Sequence, residues 1–476
     1  MIEKTFEAYD KLELKIFAER LLDYILVDYP YIEESFVLTL SGRFGCGKTT
    51  FLEMFCNYLK TKKYETIQIN SWEDDFFDDP CITIFSQILD YFKKEEKLSE
   101  EGTKKKVIEN IKETALKALS LFGKEVIKHY TGVNIQEAIE QIKGTLDDSK
   151  LSNIIYEKHQ YKKELINDLN LKINEYVNIT NKPLFILVDE LDRTRPDYAV
   201  KFLEVLKHFF KTKGVVFILA MDKEQLCSSI KRLYGNDINF HEYYRKFSHK
   251  TFLFPKLNKQ SAENYINKNV EDHFNKRSES VFFVVNLDKP HRTNLVNLCL
   301  SFKLTPRQID SLFRACAHFF RSKESGKEGN WFVIIAAIVY ITLITYDESL
   351  SSKITANSFE YIDLLKLLKN GDKIDIKTLL KDGIEVWYDE WWMHVFYCIT
   401  STDRNFEKNI DSFIQVFYPE RNNSLDQRSQ VKLVFMKMFD SHDLSSYKRT
   451  NIPLLCKIGQ QIQNGQSFLE EDKGYR

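Results

Sequence analysis

The chain has 476 residues, more than one hydrophobic core usually supports, with 43% apolar residues and 68 basic against 69 acidic side chains. A formal charge of -1 excludes any whole-molecule attraction for nucleic acid or an anionic membrane, so such contacts would need a local patch. The eight cysteines form no CxxC pair and no Cys/His spacing suited to a metal, and they read as reduced thiols of a cytosolic protein.

The N-terminal MIEKTFEAYD lacks the basic-then-apolar profile of a signal peptide. From Asp10 to Val27, apolar residues at helical spacing (Leu12, Ile16, Phe17, Leu21, Tyr24, Ile25) predict an amphipathic helix. Phe36 to Leu40 reads as a short buried strand that runs straight into the glycine-rich SGRFGCGKTT. A helix packed by Phe51, Leu52, Phe55 and Leu59 follows over Thr50 to Tyr58, and Thr66 to Asn70 alternates like a second strand before Ser71-Trp72-Glu73-Asp74-Asp75.

From Ile82 to about Ile179 the sequence is rich in Lys and Glu and nearly free of Pro and Gly, which predicts helices. The basic runs Lys104-Lys105-Lys106 and Lys158 to Lys163 lie among acidic neighbours and read as solvated helix faces. Leu184 to Val188 and Val215 to Ala220 are continuous apolar runs of the kind buried on both faces of a parallel sheet, with a crossover helix between them. Helical patterning returns over Lys259 to Phe320, interrupted at Phe282-Phe283-Val284-Val285, and Ser322 to Gly329 reads as a polar link. Trp331 to Ile344 is the most apolar segment, yet shorter than the ~20 residues a membrane span needs, so it reads as a buried core helix. Beyond Tyr346, few glycines and many aromatics at helical spacing predict an all-α tail. In that tail Trp387 and Trp391 stand four apart, as helix-core packing requires, although with Trp392 they would also serve to stack bases or meet a partner.

Gly42-Arg43-Phe44-Gly45-Cys46-Gly47-Lys48-Thr49 fits the phosphate-loop pattern G-x-x-x-x-G-K-S/T at every required position, between an apolar strand and an amphipathic helix. Glycines allow successive backbone N–H groups to close on phosphate oxygens at a helix N-terminus. The Lys48 ammonium would reach the β- and γ-phosphates, the Thr49 hydroxyl would take one position around Mg²⁺, and the cradle would extend to Thr50. Such a loop needs an acid at the end of a buried strand, and Leu184 to Val188 ends in Asp189-Glu190. Asp189 would hold the metal's water shell, and Glu190 would act as general base on the attacking water. Asp189 stands about 140 residues beyond Thr49, too far for strands that are sheet neighbours in nucleotide kinases and small GTPases. The distance suits the class with an extra strand inserted between the two, whose members mostly hydrolyse ATP with water.

The sequence then becomes more specific. The N-terminal helix, the GKT loop, the N-S-W-E segment after the second strand and DELDR at 189–193 together resemble the KAP family of P-loop NTPases. Phe217 to Asp222 is similar to that family's sensor strand, Tyr243 to Phe247 with Phe254-Pro255 to its Y-L-x-K…P element, and Leu304-Thr305-Pro306-Arg307 to its N-P-R segment. The resemblance implies that Asp222 senses the γ-phosphate or positions water, and that Arg307 is a sensor-2 arginine. It implies Arg193 or Arg245 as an arginine finger acting in trans, against the plainer reading of each arginine as a salt-bridge partner. Many family members carry membrane helices between the two nucleotide motifs, whereas here Ala115 to Lys124 is interrupted by lysines and cannot span a bilayer, though it could lie on one.

The expected fold is therefore α/β: a mostly parallel P-loop NTPase sheet with flanking helices. It would comprise a core over 1–258 with a helical insertion at about 82–180, a helical lid with the sensor-2-like segment over 259–321, and an all-α domain over 322–476. The expected activity is ATP hydrolysis with Mg²⁺, in a cytoplasmic conformational or assembly switch that forms a homo-oligomer or engages a partner effector. The resemblance also implies a role in excluding phages or plasmids, as in soluble prokaryotic members. A nucleic-acid-dependent motor and a non-hydrolysing nucleotide-binding scaffold are the alternatives; the neutral charge speaks against the first and the intact Glu190 against the second.

Overall fold

The structure is a computed structural model that describes residues 4–73, 78–98, 102–121, 154–209, 211–270, 289–319, 331–360 and 454–463, with single positions besides. It divides into two compact units, Met1–Pro255 and Lys256–Arg476.

In the first unit, α1 (Phe6–Tyr9) and α2 (Lys15–Asp28) precede β1 (Phe36–Ser41), the glycine loop and α3 (Lys48–Thr61). Then come β2 (Glu65–Asn70), α4 (Pro80–Leu98), α5 (Thr103–Ser120), α6 (Ile154–Thr180), β3 (Leu184–Asp189), α7 (Pro196–Phe209), β4 (Val215–Met221), α8 (Lys223–Tyr234), α9 (Phe240–Tyr244) and β5 (Lys250–Leu253). All five strands pair in parallel, in the order β2-β3-β4-β1-β5. The expected inserted strand is β4, which lies between β1 and β3.

The period of two along each strand divides the sheet's side chains between two apolar layers. Phe36, Leu38, Leu40, Phe185, Leu187, Val216, Ile218 and Ala220 face α2 and α3, where they meet Leu21, Ile25, Phe51, Phe55 and Leu59. Val37, Ile67, Ile69, Ile186, Val188, Phe217 and Leu219 face the opposite layer, built from α4 to α9. β3 and β4 are buried along nearly their whole length because both faces are covered, which is why they read as unbroken apolar runs.

The helices between β2 and β3 belong to this core. Ile108, Ile111, Ala115, Ala118 and Leu119 of α5 are buried against α4 and α6. The described part of the segment that could have lain on a membrane therefore packs its apolar face into protein. β5 was not foreseen. Its four residues are half-exposed, and its place is set by the backbone: His249 N–H donates to the Val37 carbonyl at 2.9 Å, and Phe254 N–H to the Ser41 carbonyl at 2.7 Å.

The second unit contains α10 (Lys259–Val270), α11 (Lys289–Ser301), α12 (Pro306–Phe319), α13 (Trp331–Tyr346), α14 (Leu350–Thr355) and α15 (Leu454–Gln463). Within it α10 packs on α11 and α12, α12 on α13, and α13 on α14 and α15. Ala336 to Leu343 of α13 are buried on every side of the helix, as the apolar run predicted. Among the described residues no helix is long and apolar enough to cross a membrane. The Phe282 interruption, the 322–329 link and the Trp387 to Trp392 cluster lie outside the described residues.

Gly214, ahead of β4, sits at φ +79°, and a Cβ added there would lie 2.5 Å from Val177 Cγ1. Gly214→Ala therefore combines left-handed strain with a clash against the end of α6. We expect a loss of about 1–3 kcal/mol, read as a lower thermal midpoint by circular dichroism. An unchanged midpoint would show that the α6–β4 corner is loosely packed.

Candidate functional site

Parallel pairing sets the geometry of the site. Ser41 is opposite Met221, and Asp189 is opposite Ala220, so the loop after β1 and the acid ending β3 open at the same carboxyl edge, on either side of β4. Backbone bonds fix this edge: Gly42 N–H donates to the Met221 carbonyl and Ser71 N–H to the Asp189 carbonyl, both at 3.1 Å.

Gly45 and Gly47 take φ of +76° and +104°, values that only glycine adopts without strain. With Cys46 N–H bonded to the Arg43 carbonyl at 3.2 Å, the loop closes on itself before α3 begins at Lys48. The Lys48 side chain is buried, and its ammonium donates to the Gly42 carbonyl at 2.6 Å and the Arg43 carbonyl at 3.2 Å. Burial pushes the Cys46 thiol up, against the pull of Lys48, so this loop cysteine is held as a thiol. The seven described cysteines are all free.

Across β4, the Thr49 side chain lies beside the Asp189 carboxylate, near enough to favour its charged form. Burial raises the Asp189 carboxyl above the ordinary aspartate range, opposed by Thr49, the Glu190 N–H and the charge of Lys48. Two hard oxygen donors side by side, one on a buried acid with a cation nearby, suit a small divalent ion. Among the described residues no group of three or more His, Cys, Asp or Glu side chains could hold a metal. An ion at Thr49 and Asp189 would thus rely on phosphate and water oxygens for its other positions.

Glu190 follows in the left-handed region, φ +61°, with its N–H donating to Asp189 Oδ1 at 2.9 Å. Its Oε1 lies 2.7 Å from Arg193 Nη1, in a largely buried ion pair. Arg193 in turn lies over two rings, its guanidinium carbon 4.4 Å from the centroid of Phe44 and 5.6 Å from that of Trp72. The phosphate loop, the segment after β2 and DELDR thus meet at one side chain. The sequence marks all three segments but not their contact. An aromatic inside the loop and a Trp in a polar turn were the available signals.

Asp222 caps α8, its Oδ1 accepting from Glu224 N–H at 3.1 Å and Gln225 N–H at 3.4 Å, while its own N–H donates to Asp192 Oδ2 at 2.9 Å. That bond ties the end of β4 to DELDR. Arg245 is exposed at the end of α9. Arg307 lies in the first turn of α12, in the second unit, where Thr305 and Gln308 form a capping box: Thr305 N–H donates to Gln308 Oε1 at 2.9 Å, and Gln308 N–H to Thr305 Oγ1 at 3.4 Å.

A phosphate loop on a parallel sheet, with an acidic strand end across an intervening strand, defines a nucleotide-binding P-loop NTPase. The sequence pattern of the KAP family P-loop domain matches residues 15–322, well over half of the chain, and the protein belongs to that family. Among solved structures, the ORC2 protein of Aeropyrum pernix, determined as ADPNP–ADP complexes, is similar at 11% identity and a TM-score of 0.33, over 95% of this chain and 94% of that one. No curated protein sequence matches the chain.

Gly42 is the tightest point of the loop, since an added Cβ would lie 2.7 Å from Phe254 Cβ and 2.8 Å from Cys46 Sγ. Its N–H is already committed to β4, so the loop cannot slide away. Gly42→Ala is expected to weaken nucleotide binding at least about tenfold in a fluorescent-nucleotide titration. Retention of wild-type affinity would place the phosphates elsewhere.

Proposed function

We propose that the protein binds ATP with Mg²⁺ and hydrolyses it, and that the cycle drives a conformational or assembly switch. The observation that carries this reading is that the phosphate loop with Lys48 and the strand end with Asp189 and Glu190 open at one sheet edge, on either side of β4. Amides of the loop from Gly42 to Thr50, with Lys48, hold the phosphates. Thr49 and Asp189 would hold Mg²⁺, which would supply charge neutralisation to the phosphates. Glu190 orients a water for attack on the γ-phosphorus and accepts its proton. Asp222, close to Cys46 and bonded to Asp192, keeps the β4 end in register with the water-positioning segment. For Arg307 we carry over the sensor-2 role that the family resemblance implies. We place this activity in the cytoplasm, with a homo-oligomer or an effector protein as partner and, by resemblance to soluble prokaryotic members, exclusion of phages or plasmids as the role.

Phosphate release from wild type, Lys48→Ala and Glu190→Gln, with and without DNA, tests the reading. Wild type should turn over without DNA. Lys48→Ala should lose both binding and turnover. Glu190→Gln should bind nucleotide but release phosphate at least about a hundredfold more slowly. No turnover in wild type under any condition would overturn hydrolysis; turnover only with DNA would replace the switch by a nucleic-acid motor.

A further inference from the structure

Arg193 is held in a way that its place in DELDR does not explain. Its guanidinium pairs with Glu190 at 2.7 Å and lies over the rings of Phe44 and Trp72, residues 51% and 50% exposed, so these contacts sit at the surface rather than in the core. A guanidinium over two π-faces gains from both rings while its fork pairs with a carboxylate, here that of Glu190. The carboxylate oxygen so engaged is one that a general base needs for water.

The clamp also has a release built into the loop. Lys48 donates to the carbonyls of Gly42 and Arg43, the two residues directly before Phe44. An ammonium that turns to phosphate gives up one or both of these bonds. The peptide units leading to Phe44 then change partners, and the ring contact of Phe44 with Arg193 changes with them.

We propose that Arg193 is a positioning residue that restrains Glu190, itself held by the rings of Phe44 and Trp72, and that phosphate binding at Lys48 loosens the grip. This rests on the reading of Glu190 as the base. It makes base release conditional on a filled loop, so that water is not activated ahead of nucleotide. It also assigns Arg193 a task in its own chain, in place of an arginine finger for a neighbour.

The test uses the full-length chain as wild type, Arg193→Ala and Phe44→Leu, with ATP and Mg²⁺. Phe44→Leu keeps apolar bulk but removes the π-face. Both variants should raise kcat about fivefold with KM changed less than twofold, the scale of a cation–π grip on one barrier. A fall of kcat in Arg193→Ala toward the Glu190→Gln level overturns the restraint while leaving the hydrolysis reading intact. Unchanged kcat in both overturns it as well. A second readout is independent of turnover: Trp72 emission, isolated by subtracting a Trp72→Phe protein from wild type. It should change when ATP is added and lose that change in Arg193→Ala. If wild type releases no phosphate, the hydrolysis reading fails, and the Trp72 signal alone decides whether the loop moves the clamp; no ATP-dependent change in emission rejects it. Circular dichroism melts identify a variant that does not fold, and the other variant then carries the kinetic test.

Discussion

The insertion of β4 between β1 and β3 is the constraint on which the rest of the molecule depends. It places the loop after β1 and the acid after β3 one strand apart at the same sheet edge, with Thr49 beside Asp189. Two-sided burial of β3 and β4 is what makes the spacing rigid, since no solvent-facing side remains along which either strand could slip.

Polar groups at the carboxyl edge are kept in place by one another. Lys48 is held by loop carbonyls, Asp189 by Thr49 and a backbone N–H, Glu190 by Arg193, and Asp222 by the N-terminus of α8 and by Asp192. Charges buried without partners would be expensive, and each of these has one. Bonds that satisfy Lys48 and Glu190 are also ones that nucleotide chemistry would have to exchange. The same contacts that stabilise the edge therefore hold it short of reaction, and the Phe44–Arg193–Trp72 contact links the two exchanges.

Where the sequence carried the answer, it did so through burial. Leu184 to Val188 and Val215 to Ala220 were legible as strands because both faces are covered, and the glycines of the loop because positive φ at Gly45 and Gly47 demands them. Lys250 to Leu253 was not legible, since a half-exposed edge strand is defined by backbone partners in β1 that local patterning does not encode. Nor was the clamp: Arg193 could be seen as a charged residue after an acid, but its partners at 44 and 72 arrive from other strands through the sheet order. The family resemblance marks Asp222 as a sensor; its contacts add helix capping, a local role that Asp followed by Lys-Glu-Gln also suggests.

If Thr49 and Asp189 are a metal-holding pair facing the phosphate loop, titration of a fluorescent ATP analogue into wild type and Asp189→Asn, with and without Mg²⁺, will show it. Mg²⁺ should tighten binding by about tenfold or more in wild type, and Asp189→Asn should lose this gain while keeping metal-free affinity. An undiminished gain from Mg²⁺ in Asp189→Asn would contradict it.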